Sequence, residues 1–575
     1  MTTMMPMSGA RMGAANLARR LVTRALARDL TAFVAPGLDV ARAYGLDPTA
    51  AGLRVVPTPR HAAVLLLVGE IPPGLRAATA VVYAQMARPR AIIALGTDGA
   101  PPLPTPDVAI TLDQATLVAG VEELRRIVAS GAWSADAPIF DAPEVQPKED
   151  DEGGMDHGDM DMSGNKGHMD MSGMDRGDIG DMNHGDMDHD TDDGGDSKGH
   201  GGDDTGHGGG DRGGMDMDMD GRGMSMVMMT KDLPRSPDGL PMEWVEAPVG
   251  PLFPGLPSGL ALSFTLDGDV VAAATVSSGT VGVGRGLDAT WAGPVATLPQ
   301  RLALLDPFTP VAYRLLATRA IENAMGVTVD ATTADARVGA LERERAASHL
   351  NWLAQFAGLL GDRWIEARAA ALYLALRRVS RIAEVERLRG EVGVFARRVR
   401  RTPYLHHRLV GIGTPRADKD RSPGGTHFTA GSLPRGPVAR AAGQAADART
   451  GDPVYQRLGF APVECEGNDA WSRLDVRLGE LERSLDLVLA VGAVVMLESP
   501  CLTDRDGSGA ATVETPRGAA TLSLAVEGGM VGEATLDTPS MHNRTLIEKV
   551  AEGRELADAL TGVASLDLSP WEMDR

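Results

Sequence analysis

One stretch, residues 151–229, constrains more than any other what this chain can fold into. It contains 20 Asp, 15 Met and 6 His, with no aromatic residue, no Leu and a single Val. Such a segment cannot bury enough apolar surface to offset the entropy lost on ordering, so it is predicted to be disordered. Both flanks have ordinary globular composition. The sequence therefore predicts a multidomain chain with folded parts at 1–146 and 233–575, joined by a disordered linker at 147–232.

This stretch also carries most of the negative charge. It has 21 acidic and five basic residues, a formal charge of −16 out of −22 for the whole chain. No basic domain is left over, so nucleic acid is not an expected partner. No apolar run approaches the roughly 20 residues that span a bilayer, and the start lacks the continuous apolar segment of a signal peptide. We expect a cytoplasmic protein, peripheral on the inner face of the cell membrane.

The linker has side chains that can bind metals, because imidazole and thioether groups are ligands for copper, and imidazole also for zinc. Two groups are dense enough for several ligands to converge. They are His168, Met169, Met171 and Met174, and Met182, His184, Met187 and His189. Composition of this kind does not define a site. Two roles stay open: a flexible spacer, or a spacer that also binds copper or zinc weakly.

Residues 1–146 carry two short apolar runs, Ala62–Val68 and Ala91–Leu95, each closed by a glycine. Runs of this length suit strands buried on both faces of a parallel sheet. Residues 73–86 and 117–128 have helical composition. The order strand–helix–strand–helix predicts a three-layer α/β domain, and no G-x-G-x-x-G follows the first strand to indicate dinucleotide binding.

Residues 233–575 predict a mainly helical domain with small sheets. Apolar residues recur with helical period over 334–360 and 471–491. Alternating segments around tight turns predict β-hairpins at 260–276 and 521–536. This combination is an α+β arrangement. The Gly/Pro/Arg-rich segment 416–442 is predicted to be a flexible insertion.

The N-terminal part resembles the B-type subunit of respiratory complex I, which is related to the small subunit of NiFe hydrogenases. The resemblance rests on Thr58–His61, which includes Arg60, and on Val82–Gly96. It implies a flavodoxin-like fold that holds a 4Fe–4S cluster on four cysteines. Three of those positions fall near Val40, Ala41 and Asp98, and the fourth has no counterpart. Aliphatic and carboxylate groups cannot replace thiolates on a cluster, so the resemblance implies a scaffold without its cluster.

The C-terminal part resembles the D-type subunit of complex I, which is related to the large subunit of NiFe hydrogenases. The resemblance is carried by a helix motif, a glycine–proline–arginine segment and the C-terminus. Within these motifs the structural positions are Glu342, Arg345, His349, Gly436, Pro437, Arg440, Asp567, Glu572 and Asp574. His349 lies on the apolar face of its helix without a convergent partner, which favours a hydrogen-bonded core histidine over a metal ligand.

Several positions that this resemblance implies to be functional carry other residues. The two histidines of the family's quinone site fall within Gly250–Pro254 and Ser258-Gly259, and its tyrosine falls on Ala303 or Leu304. Ala and Leu cannot donate a hydrogen bond to a quinone carbonyl. Ser569-Pro570-Trp571 stands where hydrogenases have a nickel-binding cysteine pair. We therefore expect no 4Fe–4S cluster, no nickel and no catalytic residue.

Together the resemblances predict a fusion of two subunits that normally touch. The first function is a subunit of a complex I-like NADH-quinone oxidoreductase or a membrane-hydrogenase-like assembly, degenerate at its own redox and quinone sites. A separate C-type subunit and membrane antiporter-like subunits are the implied partners. The alternative is a redox-inactive scaffold or metal-responsive regulatory protein that docks on a membrane ion-pump module.

Overall fold

The computed structural model describes residues 23–25, 27–130, 244–276, 291, 293–415, 433–497 and 505–573. The described residues on both sides of the linker belong to one compact unit. Every candidate metal ligand of the linker lies outside the described residues, so the predicted disorder and metal sites stay predictions.

A five-stranded parallel sheet organises the N-terminal part. Its strands are β1 (Thr31–Ala35), β2 (Arg54–Val55), β3 (Val64–Val68), β4 (Ala91–Leu95) and β5 (Val108–Ile110). They lie in the order β2-β1-β3-β4-β5, and every pairing is parallel. This is one of the common orders of doubly wound α/β folds. The predicted parallel sheet is confirmed, whereas β1, β2 and β5 had not been predicted.

Helices cover both faces of this sheet. They are α1 (Leu38–Ala43), α2 (Pro73–Gln85) and α3 (Gln114–Ser130). Alternate strand residues point to opposite faces, so two apolar cores form. Residues such as Leu66 and Ile93 pack with α1 and α3 on one face, and residues such as Leu65 pack with α2 on the other.

The C-terminal part is mainly helical. Its helices are α4 (Leu298–Ala303), α5 (Pro310–Met325), α6 (Ala331–Leu360), α7 (Arg363–Arg377), α8 (Ile382–Arg400), α9 (Pro403–Leu409), α10 (Pro437–Arg440), α11 (Pro453–Arg457), α12 (Ala470–Val491), α13 (Pro539–Asn543), α14 (Leu546–Ala551) and α15 (Leu556–Ser565). The central helix α6 packs against α7 and α12. The Asp330 side chain caps its first turn, and Gly361, with φ 78°, ends it. None of the described helices combines the length and apolar character needed to cross a membrane.

Two antiparallel sheets accompany these helices. The first has β6 (Val245–Val249), β7 (Leu262–Asp267) and β8 (Val270–Val276); the second has β9 (Gly507–Thr515), β10 (Gly518–Glu527) and β11 (Met530–Asp537). Their orders are β6-β7-β8 and β11-β10-β9. The predicted hairpins correspond to β7–β8 and β10–β11. The third strand of each sheet was not predicted.

The prediction of a flexible insertion at 416–442 is wrong for its last residues. Residues 416–432 lie outside the described part, but 437–440 form α10, and all four of its residues are buried. Gly436 before it has φ 62°, and a Cβ there would lie 2.1 Å from the carbonyl oxygen of Arg517. Tertiary packing therefore orders a segment whose composition is typical of a loop.

Candidate functional site

A cleft of about 780 Å³ lies where the N-terminal sheet meets the helical part. Its walls come from the ends of β1 and β2, from residues 252–258 before β7, and from α6 and α7. Apolar side chains such as Phe33 and Leu359 form most of the surface. This size is typical of small-molecule sites, so the cleft is the first candidate for function.

Asp39 joins the two sides of this cleft. Its carboxylate accepts hydrogen bonds from the Ser258 backbone amide at 3.0 Å, from the Ser258 hydroxyl, and from Gln355 Nε2 at 3.2 Å. Asp39 is only 3% exposed. A Cβ on Gly37 would lie 1.7 Å from Ser258 Oγ and 2.6 Å from Asp39 Oδ1, so glycine leaves room for this pair of side chains.

Apolar contacts complete the junction. Phe308, from the loop before α5, belongs to the core that α1 and α3 form on the sheet. Trp571 packs against the cores on both faces of the sheet. These contacts explain why the two folded parts form one compact unit.

The positions that the B-type resemblance assigns to cluster cysteines do not fit a cluster. Val40 and Ala41 are 2% and 0% exposed and lie in the aliphatic core beside α3. Asp98 is exposed in the loop after β4. None of the three has a thiolate, the group that holds such clusters.

Nickel does not fit the residues at the C-terminus either. Ser569 is buried, and its backbone amide donates to Ser540 Oγ at 3.0 Å. The ring of Trp571 packs on the N-terminal part. The positions implied for a cysteine pair thus serve hydrogen bonding and packing.

The resemblance assigns several positions to one quinone site, but in the structure only some of them line the cleft. Phe253 and Ser258 line the cleft, and both the amide and the hydroxyl of Ser258 bind Asp39. Ala303 and Leu304 do not line it, and Leu304 is 77% exposed at the end of α4. The resemblance alone therefore does not identify a ligand for this cleft.

A buried polar network lies in the helical core and does not line the cleft. Arg440 pairs with Glu480 at 2.6 Å, with Glu514 at 2.9 Å and with Asp447 at 3.1 Å. Burial alone would lower the pKa of Arg440, but the three carboxylates outweigh it and hold the pKa above its usual value. This arginine compensates three buried acids at once.

Glu342 is the second centre of this network. It accepts hydrogen bonds from Tyr455 Oη and Ser484 Oγ, both at 2.6 Å, and from Arg345 Nε at 3.2 Å. Burial would raise its pKa, but Arg345 and Arg449 outweigh burial and lower it. Glu342 therefore stays ionised inside the core and ties α6 to α11 and α12.

His349 belongs to the same network. Its Nε2 lies 2.9 Å from Glu480 Oε2, and the residue is 2% exposed. Burial lowers the pKa of His349, against the opposing effect of Glu480. Among the residues that the structure describes, no three His, Cys, Asp or Glu side chains group to hold a metal ion.

A second polar cluster fixes the C-terminal segment. Arg517 pairs with Asp306 at 2.8 Å, with Asp567 at 3.4 Å and with Glu572 at 3.7 Å. Burial raises the pKa of Glu572 to about 7, although Arg517 opposes the rise. Asp567 and Glu572 thus come together, whereas Asp574 lies outside the described residues.

Arg60 and Pro437, which were also predicted, form no ion pair in either cluster. Arg60 is exposed in the turn before β3. Pro437 begins α10 and positions Arg440. Burial raises the pKa of Cys465 to about 11, so its thiol is protonated and a poor nucleophile at neutral pH.

Comparisons with known proteins find a family match within the helical part and several relatives of the chain. Residues 385–506 match the family model described as respiratory-chain NADH dehydrogenase, 49 Kd subunit. The D-type subunit of NADH-quinone oxidoreductase from Desulfotalea psychrophila is 32% identical over 200 residues, 33% of this chain and 51% of that protein. The alpha subunit of the membrane-bound hydrogenase from Pyrococcus furiosus is 27% identical over 376 residues, 56% of this chain and 86% of that protein. These proteins are homologues of the chain. The chain spans about half the length of the Desulfotalea relative that it matches.

A solved structure shows the same fold. A chain of the membrane-bound sulfane sulfur reductase, an archaeal respiratory membrane complex, superposes with a TM-score of 0.50 and 21% identity. The match covers 58% of this chain and 99% of that one. More than half of the chain therefore shares the fold of that solved chain. The homologues of the chain are subunits of membrane-bound respiratory or hydrogenase complexes.

Sequence reasoning missed the residues that build the cleft. Asp39 contacts residues more than 200 positions away, and no local pattern marks such a contact. Arg42, Gln355 and Asn351 were also missed. One feature of the sequence could have indicated Asp39 and Arg42: they flank Val40-Ala41, the pair that the resemblance assigns to two cluster cysteines.

Proposed function

We propose that the chain is a subunit of a complex I-like or membrane-hydrogenase-like respiratory assembly, and that it carries no redox centre of its own. Its D-type homologues support the assembly, since they are subunits of such complexes. We infer further that the N-terminal part is a flavodoxin-like, B-type half of a fusion. The strand order β2-β1-β3-β4-β5 supports this inference.

The observation that carries the proposal is the junction beside Val40-Ala41. Asp39, the residue directly before this pair, binds Ser258 on the D-type side. The pair itself is buried among aliphatic side chains. In the proposed fusion, contact between the two halves is retained while the cluster ligands are replaced, so electrons pass through other chains.

The partners follow from this role. A separate C-type subunit and membrane antiporter-like subunits complete the assembly in the proposal. In the same proposal, the chain is a peripheral subunit at the cytoplasmic face of the membrane. The alternative role is a redox-inactive scaffold or metal-responsive regulator on an ion-pump module. This role requires the membrane subunits but no subunit that carries electrons.

The linker at 147–232 serves as a covalent tether in this proposal. A tether raises the effective concentration of its two ends, and repeated like charge extends it. Titrating copper and zinc into the full chain separates its two proposed roles. Saturable binding that is lost when the eight candidate His and Met residues are replaced assigns metal binding to it; absence of saturable binding leaves the tether alone.

Affinity purification from detergent-solubilised native membranes tests the assembly. Recovery of antiporter-like membrane subunits with cluster-bearing subunits is the expected result. Recovery of the membrane subunits without any cluster-bearing chain favours the scaffold. Recovery of neither contradicts both roles.

A further inference from the structure

Arg42 is a buried cation without a carboxylate partner. It lines the cleft from α1 and is 5% exposed. Its Nη1 donates to Asn351 Oδ1 at 3.2 Å, and no described carboxylate lies within ion-pairing distance of it. The buried arginines Arg440 and Arg517, in contrast, each pair with several carboxylates. Arg42 therefore differs from these two arginines. Arg473 is also buried without an ion pair to a described carboxylate, but its guanidinium donates to Ser565 Oγ and to the Gly413 and Asn468 carbonyls.

Asp39, the acid with the largest electrostatic effect on Arg42, is already satisfied by neutral donors. Both carboxylate oxygens of Asp39 accept hydrogen bonds from Ser258, and Gln355 adds a third. Burial lowers the pKa of Arg42, with Asp39 and Glu366 opposing from a distance. The charge of this guanidinium is thus only partly compensated within the described chain.

A guanidinium has five N–H donors, and an unpaired buried charge is costly. One of the donors of Arg42 meets a described acceptor. The remaining edge suits a carboxylate or phosphate, which a guanidinium can bind through two parallel hydrogen bonds. The other two arginines at the cleft are paired, Arg363 with Glu366 and Arg54 with Asp29. The Asp47 carboxylate, which also lines the cleft, accepts from the Ala50 amide and lies outside ion-pairing distance of Arg42.

The rest of the cleft suits an apolar body. Leu38, Phe253 and Leu359 are among the side chains that line it. A volume of about 780 Å³ is large enough for a small organic molecule. A ligand that satisfies both the cation and these walls has an acidic group at one end and an apolar portion at the other.

We propose that this cleft binds an amphiphilic organic anion, with its carboxylate or phosphate on Arg42 and its apolar portion against the walls. The site does not rest on the assembly proposed above, because it requires only the junction of the two folded parts. The proposed ligand differs from a neutral quinone, because a neutral quinone needs no buried cation.

Calorimetric titration of the full chain tests the proposal, with sodium laurate as the probe. Laurate is expected to bind saturably at one site. Dodecanol has the same chain length without charge, and inorganic phosphate has charge without an apolar chain. Both are expected to bind at least tenfold more weakly than laurate, since one charge-assisted hydrogen bond contributes roughly a factor of ten or more.

Variants assign the binding to Arg42. Arg42→Met keeps the length of the stem without the charge and is expected to weaken laurate binding by about 10- to 100-fold. Arg42→Lys keeps a cation and is expected to be intermediate, which guards against misfolding of the first variant. The control Arg398→Met removes an arginine that stacks on Trp364 away from the cleft and is expected to leave binding unchanged. Equal laurate affinity in wild type and Arg42→Met, or dodecanol or phosphate binding as tightly as laurate, overturns the proposal.

Discussion

Asp39 and Ser258 lie 219 residues apart in the sequence, yet the Ser258 amide donates to Asp39 Oδ2 at 3.0 Å. The Ser258 hydroxyl donates to the other oxygen of the same carboxylate. Because both residues are buried at the junction, this pair fixes how the α/β part and the helical part meet. Both residues also line the cleft, so their contact forms part of its wall.

Gly37→Ala tests this junction. The new Cβ would lie 1.7 Å from Ser258 Oγ and 2.6 Å from Asp39 Oδ1, so this hydrogen-bonded pair of side chains must shift. Overpacking of this kind lowers the free energy of unfolding by about 1–3 kcal/mol. The matched control is Gly390→Ala in α8, where a Cβ meets nothing within 4 Å, and it is expected to raise stability by about 0.5–1 kcal/mol. Urea denaturation measures both; equal stabilities for the two variants contradict the account of the junction.

Arg440→Leu tests the buried network. It leaves Glu480, Glu514 and Asp447 without their shared cation, and such a loss lowers the free energy of unfolding by about 3–5 kcal/mol. Arg457→Leu breaks an exposed pair with Asp335 and is the control, expected to cost about 1 kcal/mol or less. Thermal unfolding of both variants gives the comparison. A loss at Arg440 no larger than that at Arg457 means that the network does not hold the helical core together.

The buried carboxylate of Glu344 is expected to make the free energy of unfolding depend on pH. Its carboxylate accepts from the Val311 and Ala312 amides at 2.7 and 2.8 Å, and burial raises its pKa from 4.5 to about 7. The folded state thus binds more protons than the unfolded state between these values, so stability falls as the pH rises from about 4.5 to 7.

Comparing wild type with Glu344→Gln from pH 5 to pH 8 isolates this effect. Wild type is expected to lose on the order of 2 kcal/mol more of its free energy of unfolding than the variant. The control Glu391→Gln, at a half-exposed pair with Arg368, is expected to keep the wild-type dependence. Parallel pH profiles for wild type and Glu344→Gln disprove the assignment.

Local patterns in the sequence account for the elements that were predicted. Strand β4 and the hairpins β7–β8 and β10–β11 follow from apolar runs and turns, and α6 and α12 from helical periodicity. The short strands β2 and β5, with two and three residues, are too brief to carry a period. Strands β6 and β9 are partly exposed, and β9 begins Gly-Ser-Gly, which is typical of a turn.

The candidate site was harder to predict than the fold. Arg440 lies in a segment whose Gly/Pro/Arg composition indicates a loop, yet it is fully buried because acids from other segments surround it. The role of Arg42 depends on the fact that no described carboxylate lies within ion-pairing distance of its guanidinium. Neither property has a local signal, because both depend on contacts between residues distant in the sequence.

The content of iron and acid-labile sulfide in the full chain, purified without oxygen, tests the central claim most directly. The chain has Val40, Ala41 and Asp98 at the positions implied for cluster ligands, and thiolates are the groups that hold such clusters. The account predicts amounts of both elements far below one cluster per chain. Iron and sulfide in stoichiometric amounts would contradict the claim that the chain has no redox centre of its own.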